Sequence, residues 1–254
     1  MGDECHLAEV LLPVAAAHLP NRRQALERYG LADRPDHEPG GTVNLVDNST
    51  VSPARNRVTP TGEIVAIPLR GRWTGNRGIL HRGRDIVRSH ASDLWIICAL
   101  RFKDRHQEQW RPGHYTFLFF HDEAVALAAG HRPCAECRRP SYDAYRQAWA
   151  AGLGVEPPSA REMNRRLHGE RIVSGTHRRL LHELAWRDLP VGTFVLFDDV
   201  AAVVVDGDLV EWNHDGYGAR RARPRTGRAT VVTPPSTVAA LRAGYEAQID
   251  LPAC

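Results

Sequence analysis

The chain has 254 residues, 43% hydrophobic and 25% charged, which places it with globular proteins that bury a core without disulfide staples and excludes a fibrous or low-complexity chain. Its formal charge of +3 is too small to name a partner, and no apolar run approaches the ~20 residues a membrane span requires. Lys103 is the only lysine, so the basic side chains are otherwise arginines, whose planar fork suits phosphate.

Five cysteines, Cys5, Cys98, Cys134, Cys137 and Cys254, are an odd number scattered along a long chain, unlike a secreted disulfide framework. Asp3, Glu4 and His6 interrupt the N-terminus where a signal peptide would be apolar. The expected address is cytoplasmic, with no membrane partner.

Apolar residues at helical spacing over 5–18, and a segment over 22–29 stopped by Gly30, predict an N-terminal helical appendage within 1–31. Pro35, Pro39, Gly40, Gly41 and Pro53 break any period, so 32–57 is expected to be an irregular linker. A core unit over 58–254 follows, in two parts, 58–185 and 186–254.

Residues 62–70 alternate as a strand, with Pro68 pointing to a sheet edge. Over 71–81, three glycines, Asn76, Arg72 and Arg77 predict a loop whose donors gather round an anion, with His81 at its end; a plain glycine turn explains it equally well. Strands are expected over 95–102, with Cys98 inside, and over 114–120. Asp122 is placed to cap the alanine-rich helix that ends at Gly130. Next comes His131-Arg132-Pro133-Cys134-Ala135-Glu136-Cys137-Arg138-Arg139. A Cys-x-x-Cys turn puts two sulfurs on one side of a tight loop, the bite for a soft metal ion or for a redox disulfide.

Ser141 is expected to cap the following helix, which carries Tyr142, Tyr145, Ala148 and Trp149 on one side. Ser159 and Glu162 form a capping-box pattern before a helix that ends at His168, Gly169, Glu170 and Arg171. From Val191 the period becomes two, predicting a meander of strands over 193–197, 201–205 and 209–212 with an Asp206-Gly207 turn. A loop with Arg220, Arg221, Arg223, Arg225 and Arg228, a strand over 230–233 and a closing helix to Leu241 complete the chain. The fold class these elements make is α+β: a mixed sheet with a zinc knuckle and helices, plus a C-terminal antiparallel meander and closing helix.

Read as one string, residues 119–138 (FFHDEAVALAAGHRPCAECR) resemble the second half of the zinc-binding module of Ada-type DNA alkylation-repair proteins, a likeness confined to about residues 114–140. There an aromatic strand leads into an acidic, alanine-rich helix and then Ala-Gly-aromatic-Arg-Pro-Cys-x-x-Cys. The resemblance implies a Zn2+ site on a small module that contacts DNA. In that family four cysteines hold zinc and one of the upstream pair accepts a methyl group. Here no Cys-x-x-x-Cys precedes the helix, and His131 replaces the family's aromatic residue.

Zinc takes four sulfur or nitrogen donors, so Cys134 and Cys137 need two more. Cys98 is the expected third ligand and His131 the fourth, followed by His81, His121 and His114. Two functional readings stand side by side. One is a zinc-binding, nucleic-acid-associated protein, in repair or base processing, whose Arg72, Asn76, Arg77, Arg138, Arg139, Arg220, Arg221 and Arg223 meet phosphate. The other is a zinc-stabilised hydrolase-type enzyme acting on a nucleotide or phosphorylated small molecule through His81, His168, Glu170 and His177. A non-catalytic zinc scaffold is the third.

Overall fold

The computed structural model describes residues 53–103 and 108–252, which fall in one compact unit. The helices expected at 5–18 and 22–29 lie outside these residues, as does most of the linker.

The first sheet is built from β1 (Arg57–Val58), β2 (Ile64–Val65), β3 (Trp73–Asn76), β6 (Ile96–Cys98), β7 (Leu118–Phe120) and β8 (Arg132–Pro133); β4 (His81–Arg82) and β5 (Asp85–Ile86) form a separate hairpin. Its order is β2-β1-β7-β3-β6-β8, mixed because β1 runs parallel to β7 and β6 to β8. The strand foreseen over 62–70 is the short edge strand β2, as Pro68 required.

The segment expected to be a glycine loop contains β3, an inner strand paired with both β6 and β7. Its glycine content marks crowding rather than a turn. A Cβ on Gly75 would lie 2.0 Å from the Ile96 carbonyl oxygen and 2.9 Å from the Phe120 ring, so only a residue without one lets the three strands close.

Helix α1 (Glu123–Ala128) is capped by Asp122, whose carboxylate accepts from the Val125 amide at 2.8 Å. Every residue of α1 is buried. Ala126 and Leu127 pack with Leu80, Ile97 and Phe120 of the first sheet's core, while Ala124, Val125 and Ala128 pack with Phe194, Val203 and Val232 of the second. A helix of small side chains is what fits between two apolar faces.

The second sheet is antiparallel throughout, in the order β13-β12-β11-β10-β14-β9. Its strands are β9 (His182–Ala185), β10 (Phe194–Phe197), β11 (Val200–Val205), β12 (Asp208–Asn213), β13 (Gly216–Ala222) and β14 (Arg228–Val231). The meander of β10, β11 and β12 matches the sequence pattern. The arginine segment does not: Arg220 and Arg221 lie on β13, an edge strand rather than a loop. Charges along an edge also keep it from pairing with another chain.

Helix α2 (Arg139–Leu153) begins two residues before the expected cap, and the Ser141 hydroxyl accepts from Arg138 instead of capping. Helix α3 (Ala160–Arg171) starts with the Ser159/Glu162 capping box, and α4 (Pro235–Arg242) closes the unit. Tyr142, Tyr145 and Trp149 of α2 bury against the first core, together with Ala240 and Leu241 of α4. The architecture is therefore α+β, and no described helix is long and apolar enough to cross a membrane.

Candidate metal centre

Two short parallel strands assemble the centre. Ile96 pairs with Arg132 and Ile97 with Pro133, and the Cys134 amide donates to the Ile97 carbonyl at 2.9 Å. One step further along this register stand Cys98 and Cys134. The turn after β8 then brings Cys137 round to them. The three Sγ atoms lie within 4.8 Å of one another, all free thiols, and form the group among the described residues able to hold a metal ion. Tetrahedral zinc with Zn–S bonds of ~2.3 Å separates its sulfurs by about 3.8 Å, so the group fits.

Two backbone amides point at the sulfurs: Glu136 N–H donates to Cys134 Sγ and Ala99 N–H to Cys137 Sγ, each at 3.4 Å. Hydrogen bonds from Cys137 and Cys98, then from the amides of Cys137 and Glu136, hold the Cys134 thiol well below the usual range. Cys98 and Cys137 are pushed up, first by sharing their protons with Cys134. These contacts favour the thiolate at Cys134, the form that ligates metal.

His131, expected as the fourth ligand, is not part of this group. Its Nδ1 donates to the Ala126 carbonyl at 3.2 Å and its Nε2 accepts from Arg77 Nε at 3.2 Å, so no lone pair is left for a metal. The ring packs on Trp95 and Phe120, with centroids 5.1 and 4.6 Å away. Burial, then the charges of Arg77 and Arg171, push it well below the ordinary histidine range and keep it neutral. The reserve candidates are not part of this group either. His81 Nδ1 lies 2.7 Å from Thr116 Oγ1, His121 Nδ1 accepts from Trp212 Nε1, and His114 contacts the Pro112 carbonyl.

Of the catalytic candidates, His168 and His177 come together through a residue the sequence did not single out, His90. Its ring centroid lies 5.3 Å from that of His168 and 5.2 Å from that of His177. Ser89 Oγ bridges His90 Nδ1 at 3.0 Å and His177 Nδ1 at 3.2 Å. Arg171, one turn after His168 on α3, reaches its Nδ1 at 3.2 Å. The sequence signal for this group was the closeness of His168, Glu170 and Arg171 at the end of α3 with His177 downstream. His81 makes its contacts in the β4–β5 hairpin, against Trp110. Glu170 serves the architecture: its Oε2 accepts from the Ser236 amide at 3.0 Å and hydroxyl at 2.6 Å, capping α4, while Oε1 holds Arg166.

Most of the arginines expected to meet phosphate have partners inside the protein. Arg72 pairs with Asp250 at 2.7 Å, Arg138 with Glu123 at 2.8 Å, Arg139 with Asp143 at 3.7 Å and Arg220 with Asp208 at 3.3 Å. Arg221 binds Glu211, Arg223 donates to the Trp186 carbonyl, and Asn76 Oδ1 accepts from the Gly78 amide. Arg77 differs, being buried without a carboxylate partner among the described residues.

A comparison with known protein families, characterised proteins and solved structures finds no match.

Proposed function

We propose that this chain is a zinc-binding, nucleic-acid-associated protein in which a thiolate-bound Zn2+ ties the end of β6 to the start of α2. The observation that carries the reading is the group of Cys98, Cys134 and Cys137, three free thiols with two amide donors on their sulfurs. When bound, zinc supplies a cross-link between segments that are far apart in sequence. The resemblance of residues 119–138 to the Ada-type module supports both the metal and the class of partner, and the arginine surplus over lysine agrees with it.

The second reading, a zinc-stabilised enzyme acting on a phosphorylated small molecule, draws support from the grouping of His90, His168 and His177 beside Arg171. In that reading the imidazoles shuttle protons while the guanidinium orients an anion.

Metal analysis of protein purified without added zinc tests the shared claim. About one zinc per chain is expected, with Cys98→Ser and Cys137→Ser each lowering the occupancy. Less than ~0.3 zinc per chain in a folded protein would sink it. Binding to a DNA duplex that weakens by ~10³ or more between low and moderate salt would support nucleic acid, and turnover of a phosphorylated small molecule lost in His168→Ala would support the enzyme.

A further inference from the structure

Around Trp95 gathers positive charge that no carboxylate among the described residues pairs with. Arg77 and Arg171 are 1% and 0% exposed, and each guanidinium carbon lies 3.9 Å from the Trp95 ring centre. Neither makes an ion pair with a carboxylate among the described residues, nor does Arg179 beside them. Arg77 Nε donates to His131 Nε2, and their other bonded donors go mainly to main-chain carbonyls: Arg77 Nη1 to Gly62, Arg171 to Gly130 and Asp93, Arg179 to Ala128, Ala129 and Val232. Arg77 Nη2, Arg171 Nε and Arg179 Nε have no hydrogen-bond partner among the described residues. Burial, and then the Arg179 charge, push Arg77 down to about 9. Unpaired buried charge is costly, and proteins retain it where an anion is to be met.

This cationic core reaches the surface through the imidazoles. Arg77 Nη1 lies 3.5 Å from the Ser89 carbonyl, Arg171 Nη2 lies 3.2 Å from His168 Nδ1, and Ser89 Oγ joins His90 to His177. His90 and His168 are half-buried and His177 is exposed. Four separate segments supply the parts: the residue after β3, the stretch before β6, the last turn of α3 and the loop following it.

We propose that Arg77, Arg171, His90, His168 and His177 form a binding site for the phosphate group of a phosphorylated ligand. The proposal deepens the functional reading above by naming where the ligand's phosphate sits, and does not depend on the metal. Capping of the C-terminal end of α1 explains the bonds of Arg171 to Gly130 and of Arg179 to Ala128 and Ala129. It leaves unexplained, among the described residues, the free Nη2 of Arg77, the lack of paired carboxylates and the three neighbouring imidazoles. A metal ion is the wrong occupant: the group able to hold one comprises the three thiols, and buried guanidiniums repel a cation. Asp93, whose charge favours the protonated forms of Arg171 and His168, gives Arg171 only its main-chain carbonyl.

The test uses the full chain with its metal and inorganic phosphate as the probe, against chloride at equal ionic strength. Phosphate at ~100 times its Kd is expected to raise the thermal midpoint by about 5–11 °C. His90→Gln and the double variant His168→Gln/His177→Gln are expected to weaken phosphate binding tenfold or more at unchanged zinc content, while Arg187→Gln, an exposed control, leaves it unaltered. Having both variants guards against one of them folding poorly. A midpoint shift that chloride reproduces, or affinity that survives in both histidine variants, overturns the proposal. A nucleoside 5′-monophosphate and an oligonucleotide with and without a 5′-phosphate identify the source: dependence on the end group assigns a terminal phosphate, indifference a backbone phosphate. Zinc content is read separately, so failure of the metal reading and failure of the phosphate site are distinguishable.

Discussion

Glu123→Gln removes one partner of an ion pair with almost no contact with water. Arg138 Nη2 lies 2.8 Å from Glu123 Oε1, and the two side chains are 6% and 4% exposed. The guanidinium stacks on Trp73, its carbon 3.8 Å from the ring centre, and the same Oε1 accepts from Tyr245 O–H at 2.6 Å. Gln keeps the shape and deletes the charge, leaving Arg138 buried and uncompensated, which costs about 3–5 kcal/mol. For a domain of this size each kcal/mol moves the thermal midpoint by about 2–4 °C, so a fall of roughly 6–20 °C is expected. Arg138→Met alone should also destabilise, while the double variant should recover part of the loss, because no lone charge then remains. The exposed pair Arg139–Asp143, with side chains 63% and 55% exposed, is the control, and Arg139→Gln should cost less than about 1 kcal/mol. Urea unfolding followed by tryptophan fluorescence at saturating zinc measures all four. A Glu123→Gln loss below about 1 kcal/mol, or strictly additive single variants, would refute the idea that this pair is held out of water. Because Arg138 directly follows Cys137, the single variants should also lower zinc affinity.

Gly75→Ala would put a methyl group 2.0 Å from the Ile96 carbonyl oxygen, and since that atom is backbone the strands must part. Overpacking of this kind costs about 1–3 kcal/mol, and displacement of β6 should carry Cys98 away from its partners; a calorimetric scan together with a zinc competition assay measures both, and an unchanged midpoint would contradict the packing argument. Acid should weaken the fold through its histidines. His90, His131 and His168 are all held below 6.5, by burial first, so protons bind the unfolded chain more readily as pH falls through 6.5 towards the folded-state values. Stability measured by urea midpoint should be level above pH 7 and decline below it, and NMR titration should find His131 still neutral where His90 and His168 have begun to protonate.

Local patterns decided much of this molecule in advance. The alternation over 193–212 specified the β meander, the Ser159 and Glu162 pair its helix start, and Asp122 its cap, because each depends on neighbours a few residues away. The Cys-x-x-Cys turn likewise announced two sulfurs on one side of a loop. Long-range contacts decided the rest. The glycines of 71–81 looked like a loop, and only the approach of Ile96 and Phe120 reveals an inner strand. The arginines of 220–223 looked free, and only the pairing of β12 with β13 sets Arg220 and Arg221 beside Asp208 and Glu211. His131 lay beside the thiols in sequence, yet Arg77, 54 positions earlier, takes its lone pair. Sequence spacing by itself marked the thiols of Cys134 and Cys137 as a pair able to face one metal ion. Tertiary structure decided which other side chains meet, because hydrogen bonds and buried charges are satisfied between segments that the chain order does not place together.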